Sequence, residues 1–175
     1  MKKLIALAAA SLLLAGGATR AQSPNDAQIA FIVVTANQVD IDAGKLAESK
    51  ASSADVKAFG KQMVTDHSGV NKQAVALVTR LKVTPEDNAT AKSLKSGGAE
   101  NVARLEKLSG AAFDRAYVDH EVAYHVAVLA TIDDTLIPNA KNAELKALLV
   151  KVRPSFVAHL EHAKRLQSAL GKIGG

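Results

Sequence analysis

Val56, Gly60, Met63, His67, Val70, Ala74, Leu77 and Leu81 follow one another at intervals of four and three residues. That spacing lines one face of an α-helix, whereas a half-buried strand would hide every second residue. No stretch of the chain alternates with period two for long, and the helical spacing recurs almost to the end. Ile29, Val33, Ala36, Ala43 and Ala47 predict a first helix over 26–50, with Asp40 in the same register. Val118, Val122, His125, Leu129 and Ile132 predict a third long helix from Ala112 to about Thr135. Leu145, Leu149, Val152, Phe156, His159, Ala163, Leu166 and Leu170 predict a fourth after Pro138-Asn139. The fold class is all-α.

Local signals place the helix ends. Ser52-Ser53-Ala54-Asp55 reads as a capping box, with a hydroxyl N-cap and an acid three residues on, and opens the second helix. Pro154 falls inside the fourth helix and predicts a kink or a break, because proline removes a backbone donor. Thr84-Pro85-Glu86-Asp87 reads as the start of a short helix stopped by Ser96-Gly97-Gly98, with a second short helix over 99–108. Helices one and two are joined by a few residues, as are helices three and four. Roughly 30 residues separate helices two and three, enough to cross a bundle from end to end. Short, long, short is the connection order of a ferritin-like four-helix bundle with a long, partly helical crossover between helices 2 and 3. An up-down bundle with an inserted helical loop has the same lengths. An internal echo fits two related halves: Met63 to His67 aligns with Glu121 to His125, with Phe59 and Tyr117 eight residues before each histidine.

The first residues read as an address rather than as fold. Met1-Lys2-Lys3 is a positive start, Leu4 to Gly16 an apolar run of about 13 residues, short of the ~20 that span a bilayer. Thr19 and Ala21 then supply the small residues of a cleavage site. Residues 1–21 are therefore expected to be a secretory signal peptide, and 22–175 a single helical domain in the periplasm with no stable membrane insertion. Lys2, Lys3 and Arg20 are three of 22 basic residues, while all 17 acidic ones lie downstream, so 19 bases face 17 acids and the processed chain carries +2. With no Lys/Arg cluster, nucleic acid is not an expected partner; a homo-oligomer is compatible. The absence of cysteine excludes disulfides, thiolate metal sites and thiol catalysis.

Several ordered blocks carry a family resemblance. They are Asn37 with Gly44-Lys45-Leu46-Ala47, Val56-Lys57-Ala58-Phe59 through Met63-Val64-Thr65-Asp66-His67, Phe113-Asp114-Arg115-Ala116-Tyr117-Val118 with His125, and Pro154 with His159-Leu160-Glu161-His162-Ala163. From Ala27 to about Leu170 the chain resembles the bacterial exported proteins grouped as domain of unknown function 4142, regarded as ferritin-like. It departs from their pattern at Glu121, where Met is usual, at Tyr124, where a polar residue such as Asp is usual, and at Asp40, where Glu is usual. The resemblance implies fold and export, and no activity.

Chemistry, where it exists, rests on polar residues at core positions. Asp40, His67 and His125 fall near the middles of their helices, and His159 about 4 residues past its own, roughly 6 Å off level at ~1.5 Å rise per residue. One carboxylate and three imidazoles, with Glu121 four residues before His125 as a second carboxylate, make a candidate site for Cu, Zn or Fe. Met63, four residues before His67, would favour copper as a further ligand. The other reading is structural: the same histidines bond to main-chain carbonyls, Asp40, Asp66 or Tyr124 and fix helix register without metal. No Glu-x-x-His motif is present, which disfavours a four-carboxylate di-iron oxidase centre. His120 and His162 fall off the core seams, although His162 stands three residues from His159. Tyr117 and Tyr124 are expected to keep one wet end. Glu100–Arg104, Arg115–Asp119 and Glu161–Arg165 have the spacing of surface ion pairs. No Gly-x-Ser-x-Gly or phosphate-cradling glycine loop occurs, so no enzymatic reaction is assigned. The expected roles are metal handling or stress tolerance, or a metal-free interaction protein.

Overall fold

In the computed structural model, residues 23–173 are described, and among them there are helices and no strands. The proposed signal peptide lies outside the described residues. Helix α1 spans Asp26–Lys50, α2 Ala54–Leu81, α3 Ala89–Glu106, α4 Gly110–Thr131, α5 Ile137–Asn139 and α6 Ala143–Ile173; a π-helical turn, Ile132–Leu136, joins α4 to α5. Among the described residues no helix is long and apolar enough to cross a membrane.

Contacts along the helices give their directions. α1 and α2 run antiparallel, with Asn71 Nδ2 donating to the Val34 carbonyl at 3.3 Å and Gly44 facing Gly60. α2 and α6 are antiparallel through Gln73–Lys151 and Arg80–Glu144. α4 and α6 are antiparallel through Asp119–Gln167 and Asp133–Arg153. α2 and α4 therefore point the same way, which is why the chain needs a crossover between them. α3 supplies it, running alongside α1 and returning the chain to the end where α4 starts.

Several local expectations are corrected. The α2 N-cap is Ser53, whose hydroxyl accepts from the Val56 N–H; no box with Asp55 forms. Ser52 and Ser53 instead donate their backbone N–H groups to the buried Asp114 carboxylate at 2.9 and 2.8 Å, tying the α1–α2 corner to α4. A reciprocal capping box does occur, at Asn25 and Gln28. The crossover holds one helix, not two: residues 84–88 are non-helical, Asn88 caps α3, and α3 continues through Gly97-Gly98. Gly98 is there for proximity, since a Cβ would stand 2.8 Å from a Val39 methyl carbon. α6 likewise runs unbroken through Pro154, which lies on the exposed face where water can bond the freed carbonyl. The third long helix leaves α geometry at Ile132. Proline crowds the carbonyl four residues back. The wider turn before Pro138 relieves that crowding, with Ile137 donating to Ile132 O. None of the three expected surface pairs forms: Glu100 accepts from Ser96, Arg115 donates to Leu170 O, and Glu161 pairs with Lys164.

The core is split in two. One apolar cluster gathers Ile29, Val33, Val70, Leu77, Val128, Leu149 and Phe156; the other gathers Ala43, Ala47, Phe59, Met63, Phe113, Tyr117 and Ala163. On each of α1, α2, α4 and α6 the chain passes from one cluster to the other across buried polar residues: Asn37 and Asp40, His67, Glu121 and His125, and His159.

Candidate metal centre

Those residues form one polar layer between the two apolar clusters. His67, His125 and Glu121 are fully buried, Asp40 is 1% exposed and His159 2%. The three imidazole centroids lie 5.1–5.7 Å apart. One ring nitrogen from each of His67, His125 and His159 falls within 4.8 Å of the others, and so do ligand atoms of Asp40, Glu121 and His125. The five expected ligands fall into two such groups that share His125, and His67 Nε2 lies 3.4 Å from Asp40 Oδ2 between them; His159 is level with the rest. The expected 6 Å offset disappears because α6 runs on to Ile173, which puts His159 at its midpoint.

Each imidazole has one nitrogen fixed from outside. His67 Nδ1 lies 2.7 Å from Asn37 Oδ1, and Asn37 Nδ2 donates to the Val33 carbonyl at 2.7 Å. With its amide so oriented Asn37 offers oxygen to the ring, so His67 carries its proton on Nδ1. His125 Nδ1 lies 3.0 Å from the Glu121 main-chain oxygen, which can only accept. His159 Nε2 lies 2.9 Å from Asp66 Oδ2 on the half-exposed side of α2. The rings therefore present lone pairs from His67 Nε2, His125 Nε2 and His159 Nδ1. These three nitrogens, and all four carboxylate oxygens of Asp40 and Glu121, are buried without a hydrogen-bond partner.

The electrostatics match. Burial, then the neighbouring imidazoles, lowers His67 to about 2, and burial lowers His125. Burial, then the adjacent Glu121 carboxylate, pushes Asp40 well above the usual carboxylate range. Without a cation, burial favours neutral His67 and His125 and a protonated Asp40. A bound cation reverses the preference at Asp40 and displaces that proton.

Sequence reasoning missed the role of Asn37, while Asp66, one of the expected alternative partners of the histidines, does bind His159. An amide three residues before Asp40 on the buried stripe was the available signal. Met63 is fully buried in the second apolar cluster among Phe59 and Phe113, as core filler. His162 turns to Gln62 and packs edge-on against Phe59 rather than joining His159. Tyr124 donates to the Ala36 carbonyl at 3.0 Å, and Tyr117 is fully buried with its hydroxyl unpartnered, so neither has the expected wet end.

Fold and site define an all-helical protein with a buried histidine–carboxylate layer. The model of the family described as Domain of unknown function (DUF4142) matches residues 13–166, and the chain belongs to that family. No curated protein and no solved structure matches the chain.

Proposed function

We propose that this is an exported, ferritin-like four-helix-bundle protein whose core binds one transition-metal ion, with Asp40, His67, Glu121, His125 and His159 as ligands. Its role is metal handling or stress tolerance. The single observation that carries the reading is the convergence of three buried imidazole nitrogens and two buried carboxylates, with no basic side chain among them to balance the acids. An unpaired buried polar group costs about 1–3 kcal/mol, so a layer of them is expensive unless a ligand completes it. Neutral imidazole with carboxylate suits Cu, Zn or Fe. The ligands are sealed from solvent, which leaves no room for an organic substrate and favours handling of the ion itself. The ferritin-like assignment draws on the short, long, short connections and the shared direction of α2 and α4. Export to the periplasm draws on the residue pattern of 1–21.

A second reading, a metal-free interaction protein in which the layer fixes helix register, is favoured by the outer bonds of His67, His125 and His159. It pairs His67 Nε2 with Asp40 at 3.4 Å but leaves His125 Nε2 and His159 Nδ1 without a partner. Elemental analysis of protein purified without chelators separates the two. The metal reading predicts near-stoichiometric metal, lost in His67→Ala and in His159→Ala, and a metal-dependent rise in Tm. No metal under any loading condition contradicts it.

A further inference from the structure

An apolar cavity of about 50 Å³ lies within the first apolar cluster, against the imidazole layer. Val33, Val128 and Leu149 are among its walls, and it shares Asn37 and Phe156 with the metal centre. The Phe156 ring is 5.0 Å from His67, 6.1 Å from His125 and 6.2 Å from His159, centroid to centroid. Ile132 and Leu136, the first and last residues of the π-helical turn, also line it. Such turns inside α-helices occur frequently at functional sites. At its outer side stands exposed Thr90, so the cavity lies between the surface and the imidazoles.

The lining decides what fits. A buried water needs two to four polar partners, and the inner walls offer few: apart from Thr90 at the outer side, the polar side chains of the lining are Asn37 and Thr131. Asn37 already uses its amide oxygen on His67 and its nitrogen on Val33, and the Thr131 hydroxyl donates to Ala127 O. An ion has no counter-charge in these walls. The volume exceeds the ~10–15 Å³ that one water needs and falls well short of the ~150 Å³ of an apolar cavity that takes benzene. That range suits a diatomic molecule or a single xenon atom.

We propose that this cavity is a binding site for a small uncharged gas of dioxygen size, held one aromatic side chain away from the imidazole cluster. Its occupancy depends on the apolar walls alone, so it persists in metal-free protein and stands or falls separately from the metal reading. The test is xenon: crystals of metal-free protein under xenon pressure, with a ¹²⁹Xe chemical-shift titration in solution. The expected result is a xenon peak between Val33, Val128 and Phe156, with occupancy reduced severalfold in Val128→Ile or Val33→Ile, each adding one methyl group to the wall. Helix content by circular dichroism shows which variant remains folded, and either one suffices. Absence of xenon from the cavity, ordered water in its place, or occupancy unchanged in both folded variants overturns the proposal.

Discussion

Asn37 Oδ1 stands 2.7 Å from His67 Nδ1 in the middle of the core and turns the other nitrogen of that ring, Nε2, toward Asp40 at 3.4 Å. Asn37→Leu keeps the volume and removes the acceptor. His67 is then free to flip or change tautomer, and metal affinity is expected to fall about 10- to 100-fold, the usual cost of losing an outer partner to a metal-binding histidine. Metal-free stability is expected to fall by about 1–3 kcal/mol, because the Nδ1–H is left unpaired. Competition titration with a chromogenic chelator and urea unfolding measure the two effects.

Gly44 and Gly60 predict a sign opposite to helix propensity. A Cβ on Gly44 would lie 2.8 Å from the Gly60 carbonyl oxygen, and one on Gly60 2.8 Å from both Ala47 Cβ and Gly44 O. Propensity alone favours Ala over Gly by roughly 1 kcal/mol. Overpacking against backbone outweighs it, so Gly44→Ala and Gly60→Ala are each expected to destabilise by about 1–3 kcal/mol. Gly69 and Gly97 have nothing within 4 Å of an added Cβ, and there the same change is expected to stabilise by about 0.5–1 kcal/mol. Thermal melts of the four variants check the contrast.

Asp114 ties the α1–α2 corner to α4 by accepting from the Ser52 and Ser53 backbone. Asp114→Ala orphans those donors, and a loss of about 2–4 kcal/mol is expected, since hydrogen bonds to a charged group contribute about 1.5–3 kcal/mol each. Hydrogen exchange should show the damage concentrated at the α1–α2 corner and the start of α4.

The metal-free protein should weaken in acid through His67. Burial holds its folded pKa at about 2, below the ordinary 6.5, so between pH 6.5 and 2 the unfolded chain binds the extra proton and stability falls as pH falls. Asp40 is raised and acts in the opposite sense, its contribution lost as pH rises above 3.8. The clean observable is therefore a difference. In His67→Gln the slope of unfolding free energy between pH 4 and 6 should be smaller than in the parent by up to about 1.4 kcal/mol per pH unit, one proton's worth. Equal slopes would contradict the burial of a neutral ring.

The long helices were legible because four apolar stripes repeat at helical spacing, and the five candidate ligands were legible because they interrupt those stripes. What escaped depended on contacts across the fold. Gly97-Gly98 has the composition of a helix stop, yet α3 continues through it, and Gly98 serves the close approach of Val39 on α1. Pro154 reads as a break until its solvent-facing position is known. The height of His159 escapes the sequence because Gly171 reads as a helix end and Pro138-Asn139 as a helix start, whereas α6 spans Ala143–Ile173. Nothing local announces the role of Asp114, since its partners lie some sixty residues earlier in the chain. The i,i+4 spacing does not secure surface pairs: exposed ion pairs contribute only ~0–1 kcal/mol, too little to outcompete the other partners each side chain finds.

Anomalous diffraction from a crystal of metal-loaded protein, recorded at the absorption edge of the bound element, tests the central claim most directly. The account predicts a single strong peak inside the polar layer, bonded by His67 Nε2, His125 Nε2 and His159 Nδ1 at about 2.0–2.1 Å, with an oxygen of Asp40 or Glu121 at about 2.0–2.2 Å. Scattering confined to surface residues such as His120 or His162, or no peak at all in crystals grown with saturating metal, would contradict it.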